Sequence, residues 1–140
     1  MNSNTRLSLC ALLFSSVASI ASAEVAVIVN PDNGDEISKD YVQKIYLAKT
    51  KVFPSGHTAI PVDQTEGSAT RIEFLTKVIE KDEAQMKSYW TRLIFTGKGV
   101  PPNALADDSK VKDLVSRNPD AIGFIDAASV DGTVKVVGKF

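Results

Sequence analysis

The chain has 140 residues, with 16 basic and 17 acidic side chains and a formal net charge of −1. That balance gives no electrostatic case for nucleic acid or an anionic membrane as a partner. A single histidine and a single cysteine leave too few nitrogen and sulfur donors for a zinc site, and they exclude a disulfide framework.

Residues 1–23 read MNSNTRLSLCALLFSSVASIASA. One arginine, Arg6, precedes an apolar run over residues 7–20, which ends in Ala21-Ser22-Ala23, the small-x-small pattern of a signal-peptidase site. The run is too short and too serine-rich for a comfortable membrane span, and no stop-transfer pattern follows. Cys10 follows Leu9, where a lipidation signal needs a small residue. The expectation is a signal peptide over residues 1–23, cleavage after Ala23, and a single domain over residues 24–140 in a bacterial periplasm, with no stable membrane insertion afterwards. Cleavage takes Arg6, the only cysteine and no acid, leaving 15 basic against 17 acidic side chains. The remaining 117 residues must be held by their core alone.

Residues 25–30, VAVIVN, form a β-branched run closed by the turn signal Pro31-Asp32-Asn33-Gly34. Ser38 is placed to cap a helix in which Tyr41, Val42, Ile45 and Tyr46 recur at helical spacing, to about Ala48. Pro54-Ser55-Gly56 breaks the chain before a second strand over residues 59–62. A second helix follows, with Ile72, Leu75, Val78 and Ile79 on one face and Phe74 widening the stripe. A third helix is expected over residues 83–96, buried through Met86, Trp90, Leu93 and Ile94, and a fourth over residues 108–118, buried through Val111, Leu114 and Val115. Strands over residues 121–125 and 133–137, joined by Asp131-Gly132, close the chain. This order predicts an α/β domain, a small mixed sheet flanked by helices.

The stretch between the second strand and the second helix, DQTEGSATRIEF (residues 63–74), carries the candidate chemistry. The first N–H groups of a helix lack partners inside it and favour an anion. Gly67 permits a tight turn and close backbone approach, Ser68 and Thr70 offer hydroxyls, and Arg71 offers a fork for phosphate, sulfate or carboxylate. Residues 67–70, Ala69 included, would add backbone N–H groups, and Thr65 would help. A plainer reading stands beside this one. Ser68 or Thr65 simply caps the helix, Thr70-x-x-Glu73 fits a capping box, and Arg71 is a solvated surface residue. Glu66 places a negative charge next to the proposed ligand.

GSATRIEF (residues 67–74) resembles the G-S-G-T-R/S-x-x-F segment of the phosphate-binding proteins of ABC transporters, which are periplasmic binding proteins of type 2. YVQKIYLAK (residues 41–49), followed by Phe53, Gly56 and Ile60-Pro61-Val62, resembles the family's passage into that loop. Asn118-Pro119-Asp120-Ala121-Ile122-Gly123-Phe124-Ile125 resembles its late strand. The resemblance implies a single lobe of such a protein, holding an oxyanion, inorganic phosphate first, on residues 65 and 67–71. Family members close two lobes over the ligand, so one lobe implies an open half-site. Its other side would come from a partner or a second copy, as in a homodimer. Ala69 stands where the family has glycine.

The remaining motifs carry less. His57, in a Ser-Gly-His turn, reads as an exposed loop residue. Thr96-Gly97-Lys98-Gly99 lacks the spacing of a phosphate loop and follows a helix, though Lys98 could lie near an anion site. No serine stands in a G-x-S-x-G elbow. Asp82-Glu83 and Asp107-Asp108 read as helix-start acids. Trp90 reads as core, while Tyr89 is open to either role. The sequence thus points to a non-enzymatic anion-binding lobe without cofactor. A second reading is an interaction module that docks on an envelope sensor, porin or transporter.

Overall fold

The computed structural model describes residues 23–140, so the proposed leader falls almost wholly outside the described residues. Strand β1 (Val25–Val29) is followed by α1 (Lys39–Tyr46), β2 (Ile60–Gln64), α2 (Ala69–Phe74), α3 (Glu83–Phe95), β3 (Asn103–Leu105), α4 (Asp108–Arg117), β4 (Ala121–Asp126) and β5 (Lys135–Lys139). The five strands form one mixed sheet in the order β3-β2-β4-β1-β5. β2 runs parallel to β3 and β4, whereas β1 is antiparallel to β4 and β5. The last two strands therefore do not pair with each other: β1 lies between them. No helix among the described residues is long and apolar enough to cross a membrane.

Successive side chains of a strand point to opposite faces, and β1 uses both faces as core. Val25, Val27 and Val29 pack with Ile122 and Phe124 under α1, α2 and α3. Ala26 and Ile28 pack with Ala121 and Ile125 under Val111 and Val115 of α4. The result is a sheet between two helical layers, with α4 alone on one side. Gly123 sets how closely α4 approaches: a Cβ there would lie 2.6 Å from Val111 Cγ1 and 3.2 Å from Val115 Cγ2. Gly123→Ala is expected to lower stability by about 1–3 kcal/mol through overpacking, read as a lower urea midpoint at unchanged slope.

The helix starts follow their capping residues. Ser38, Ser68, Asp82 and Asp107 each accept a backbone N–H of the first turn, and Asp82 and Gln85 form a capping box. Thr70 and Glu73 do not form the expected box. Glu73 instead pairs with Lys77 one turn on.

The second helix corrects the expected stripe. Helix α2 continues into a π-helical turn, Leu75–Ile79, and the buried positions are 71, 74, 75, 78 and 79. Ile72 is 46% exposed, while Arg71 is 9% exposed. Arg71 occupies the first position of the inward face, so it is not a solvated surface residue. In α3, Met86 and Trp90 are buried, but Ile94, one turn on from Trp90 and on nearly the same side of the helix, is 53% exposed because it borders an open groove near the end of the helix. Strand β3 was not foreseen.

Candidate functional site

Strand β2 ends in Asp63 and Gln64, whose side chains leave on opposite faces of the sheet. Gln64 is buried. Its Nε2 donates to Asp108 Oδ1 at 2.7 Å and to the Phe124 carbonyl at 3.0 Å. Its Oε1 accepts from Ser68 Oγ at 3.3 Å. Asp63 faces α2, where Oδ1 accepts from Arg71 Nε at 3.1 Å. Burial pushes the Asp63 carboxyl above the usual carboxylate range, and Arg71 pulls it part of the way back.

The loop then turns through Gly67, whose φ of +85° is the left-handed conformation that glycine adopts freely. At this turn the first residue of α3 reaches back. Glu83 Oε1 accepts from the Gly67 N–H at 3.4 Å, and Glu83 Oε2 is ion-paired with Arg71 Nη1. A carboxylate of the protein itself thus rests on two of the groups assigned to an oxyanion. Arg71 is held between Asp63 and Glu83, one positive charge between two negative ones.

The other candidate groups divide. Ser68 Oγ accepts from the Arg71 N–H at 3.0 Å while donating to Gln64, so its one hydroxyl proton is used. Thr65 Oγ1 donates to the Leu105 carbonyl at 3.2 Å, tying the loop to β3. The N–H groups of Ala69 and Thr70, and the Thr70 hydroxyl, make no hydrogen bond among the described residues. They border a small hollow of about 90 Å³ that Glu24, Glu73 and Asp126 also line, an acidic setting for an anion. The structure therefore brings Gly67, Ser68 and Arg71 into one network, turns Thr65 to the neighbouring strand, and leaves Ala69 and Thr70 open beside carboxylates.

Lys98 does not join this cluster. It lies with Ile60 and Pro61, at the opposite end of β2. His57 is an exposed loop residue. Tyr89 donates its hydroxyl to the Leu47 carbonyl at 2.5 Å, a contact between helices rather than a stacking platform. Sequence reasoning missed Asp63, Gln64 and Glu83 as members of the site. The one available signal was the spacing 71, 74, 75, 78, 79, which turns the arginine inward and obliges it to find carboxylates.

No protein-family model matches the chain, nor does any curated protein. Solved structures do. An ABC-type phosphate transport receptor from Vibrio cholerae superposes with a TM-score of 0.65 at 21% identity, over 82% of this chain and 45% of that one. A phosphate ABC transporter substrate-binding protein from Clostridium perfringens, described as putative and solved with bound phosphate, gives 0.61 at 20% identity, over 82% and 44%. A possible phosphate binding protein from Planctomyces limnophilus gives 0.58 at 17% identity, over 82% and 40%. The chain spans less than half the length of these structures, and at such identities the likeness is one of fold. The described residues take the fold of one lobe of a periplasmic binding protein.

Proposed function

We propose that the chain is a binding-protein-like lobe for a small oxyanion, phosphate first, taken up at residues 67–71 in exchange for the Glu83 carboxylate. The observation that carries this reading is the Glu83 carboxylate on the Gly67 N–H and the Arg71 guanidinium. Groups that hold an internal carboxylate have the donors and the charge to hold an external oxyanion. The likeness to structures described as phosphate receptors supports the choice of ligand. Export by residues 1–23 and work in the periplasm belong to the same proposal, as does an envelope transporter, a sensor or a second copy covering the open side. No catalytic step is proposed.

The internal carboxylate also sets the affinity. It competes at an effective concentration of the order of millimolar or above, so phosphate binds the native chain weakly. Phosphate titrated calorimetrically into the native protein is expected to give a shallow isotherm. Glu83→Gln removes the competing charge and is expected to bind about tenfold tighter or more. Heat that persists in the Ser68→Ala/Arg71→Ala double variant would move the ligand away from this loop. Absence of heat in both the native protein and Glu83→Gln would refute anion binding altogether.

A further inference from the structure

A second surface lies at the other end of β2. An open groove of about 560 Å³ runs between the end of α1, the end of α3 and the segment 97–103. Its walls are largely apolar, and three of its large side chains are left in water: Ile60 at 43%, Ile94 at 53% and Val100 at 79% exposure. Gly99 brings the 97–103 segment against α3, where a Cβ added to it would lie 3.6 Å from the Trp90 ring, and Pro101-Pro102 stiffen it where it enters β3. Two lysines, Lys51 and Lys98, line the groove, and no Asp or Glu does. Neither lysine is ion-paired among the described residues. On a chain whose net charge is negative, this is a local concentration of apolar surface and positive charge.

We propose that this groove docks a segment of a partner protein bearing large apolar side chains flanked by carboxylates. Charge decides between the candidate occupants. A second copy docking through the same face would set Lys51 and Lys98 against their own equivalents, which costs stability. A partner segment with Asp or Glu beside its apolar anchors meets both lysines with opposite charge. Shape decides against a membrane. A bilayer is flat on this scale, whereas the groove is concave and receives a protruding segment in the manner of an amphipathic peptide in a hydrophobic groove. The groove is separate from the Gly67–Arg71 network, so its occupant does not depend on the anion reading.

The molecule carries its own reporter. Trp90 is the only tryptophan in the chain and lines the groove. A random linear-peptide display library selected on the native protein is expected to enrich sequences that place Asp or Glu beside aromatic or long aliphatic residues. A synthetic peptide of the enriched sequence should shift Trp90 emission to the blue. It should bind at least about tenfold more weakly to Lys51→Glu/Lys98→Glu and to Ile94→Asp/Val100→Asp. These four side chains are exposed, so the variants keep the fold, checked by an unchanged circular dichroism spectrum. Enrichment without acidic residues, or equal binding to both variants, would overturn the proposal. Loss of phosphatidylglycerol-vesicle or oleate binding in the same variants, with no peptide bound by the native protein, would overturn it in favour of a lipid. Concentration-dependent dimerisation abolished by the same variants, again with no peptide bound, would overturn it in favour of self-association.

Discussion

Arg71→Met is expected to destabilise the protein by about 3–5 kcal/mol near pH 8, the range for removing one member of a buried ion pair. The substitution keeps most of the apolar stem and deletes the charge. Of the two carboxylates left behind, Glu83 sits nearer the surface, whereas Asp63 is almost as enclosed as the arginine itself. The loss should depend on pH in a stated direction. Burial already raises the Asp63 carboxyl and Arg71 partly offsets it, so in the variant the folded-state value rises further. The folded variant then binds a proton at a pH where the unfolded chain, with an aspartate near 3.9, does not. Stability therefore increases as the pH falls through the folded Asp63 value toward about 4, and the deficit against the native protein narrows. Urea titrations at pH 8 and pH 5 measure it. Asp63→Asn combined with Arg71→Met should recover part of the loss at pH 8. A deficit that is equal at both pH values and unrelieved by the double substitution would place the damage elsewhere.

Phe74→Ala is expected to cost about 3–5 kcal/mol for a different reason. The Phe74 ring stacks on Phe124 of β4 with centroids 3.9 Å apart and planes 3° from parallel, and it meets the Tyr46 ring edge-on at 4.7 Å. All three residues are buried, and together they join α1, α2 and β4. Truncation opens a void between rigid aromatic faces that cannot collapse into it, so both the transfer term and the cavity term apply. Phe74→Leu refills much of that volume and should restore about half or more of the loss. A midpoint shift of less than about 1 kcal/mol for Phe74→Ala would mean that the helix moves inward to close the gap.

Much of the fold follows from local chemistry. The β-branched run of β1, the Ser38 cap, the acids that open α3 and α4, and the Asn118-Pro119 stop are each decided by a few neighbouring residues, and they stand where the sequence puts them. What could not be read is set across space. β3 has three residues and follows two prolines, so no alternation announces it; pairing with β2 makes it a strand. Ile72 reads as inward when the stripe is begun on an apolar residue, yet it is exposed. The true stripe begins with a charge, which the core accepts only because Asp63 and Glu83 come from other elements. The Gly67 to Glu83 contact likewise bridges 16 residues. The loop proposed to hold an anion is visible in the sequence, but the carboxylate resting on it is not.

The place of β1 in the sheet has a consequence for the timing of folding. Its neighbours on both sides, β4 and β5, are the last strands of the chain, and Val25 exchanges backbone hydrogen bonds with Phe140. This interior strand precedes the other four in the chain and finds its partners last, after a loop closure spanning nearly all of the described residues. A nascent chain that still lacks residues 121–140 has neither neighbour of β1, and the apolar run Val25–Val29 waits unpaired until those residues are made.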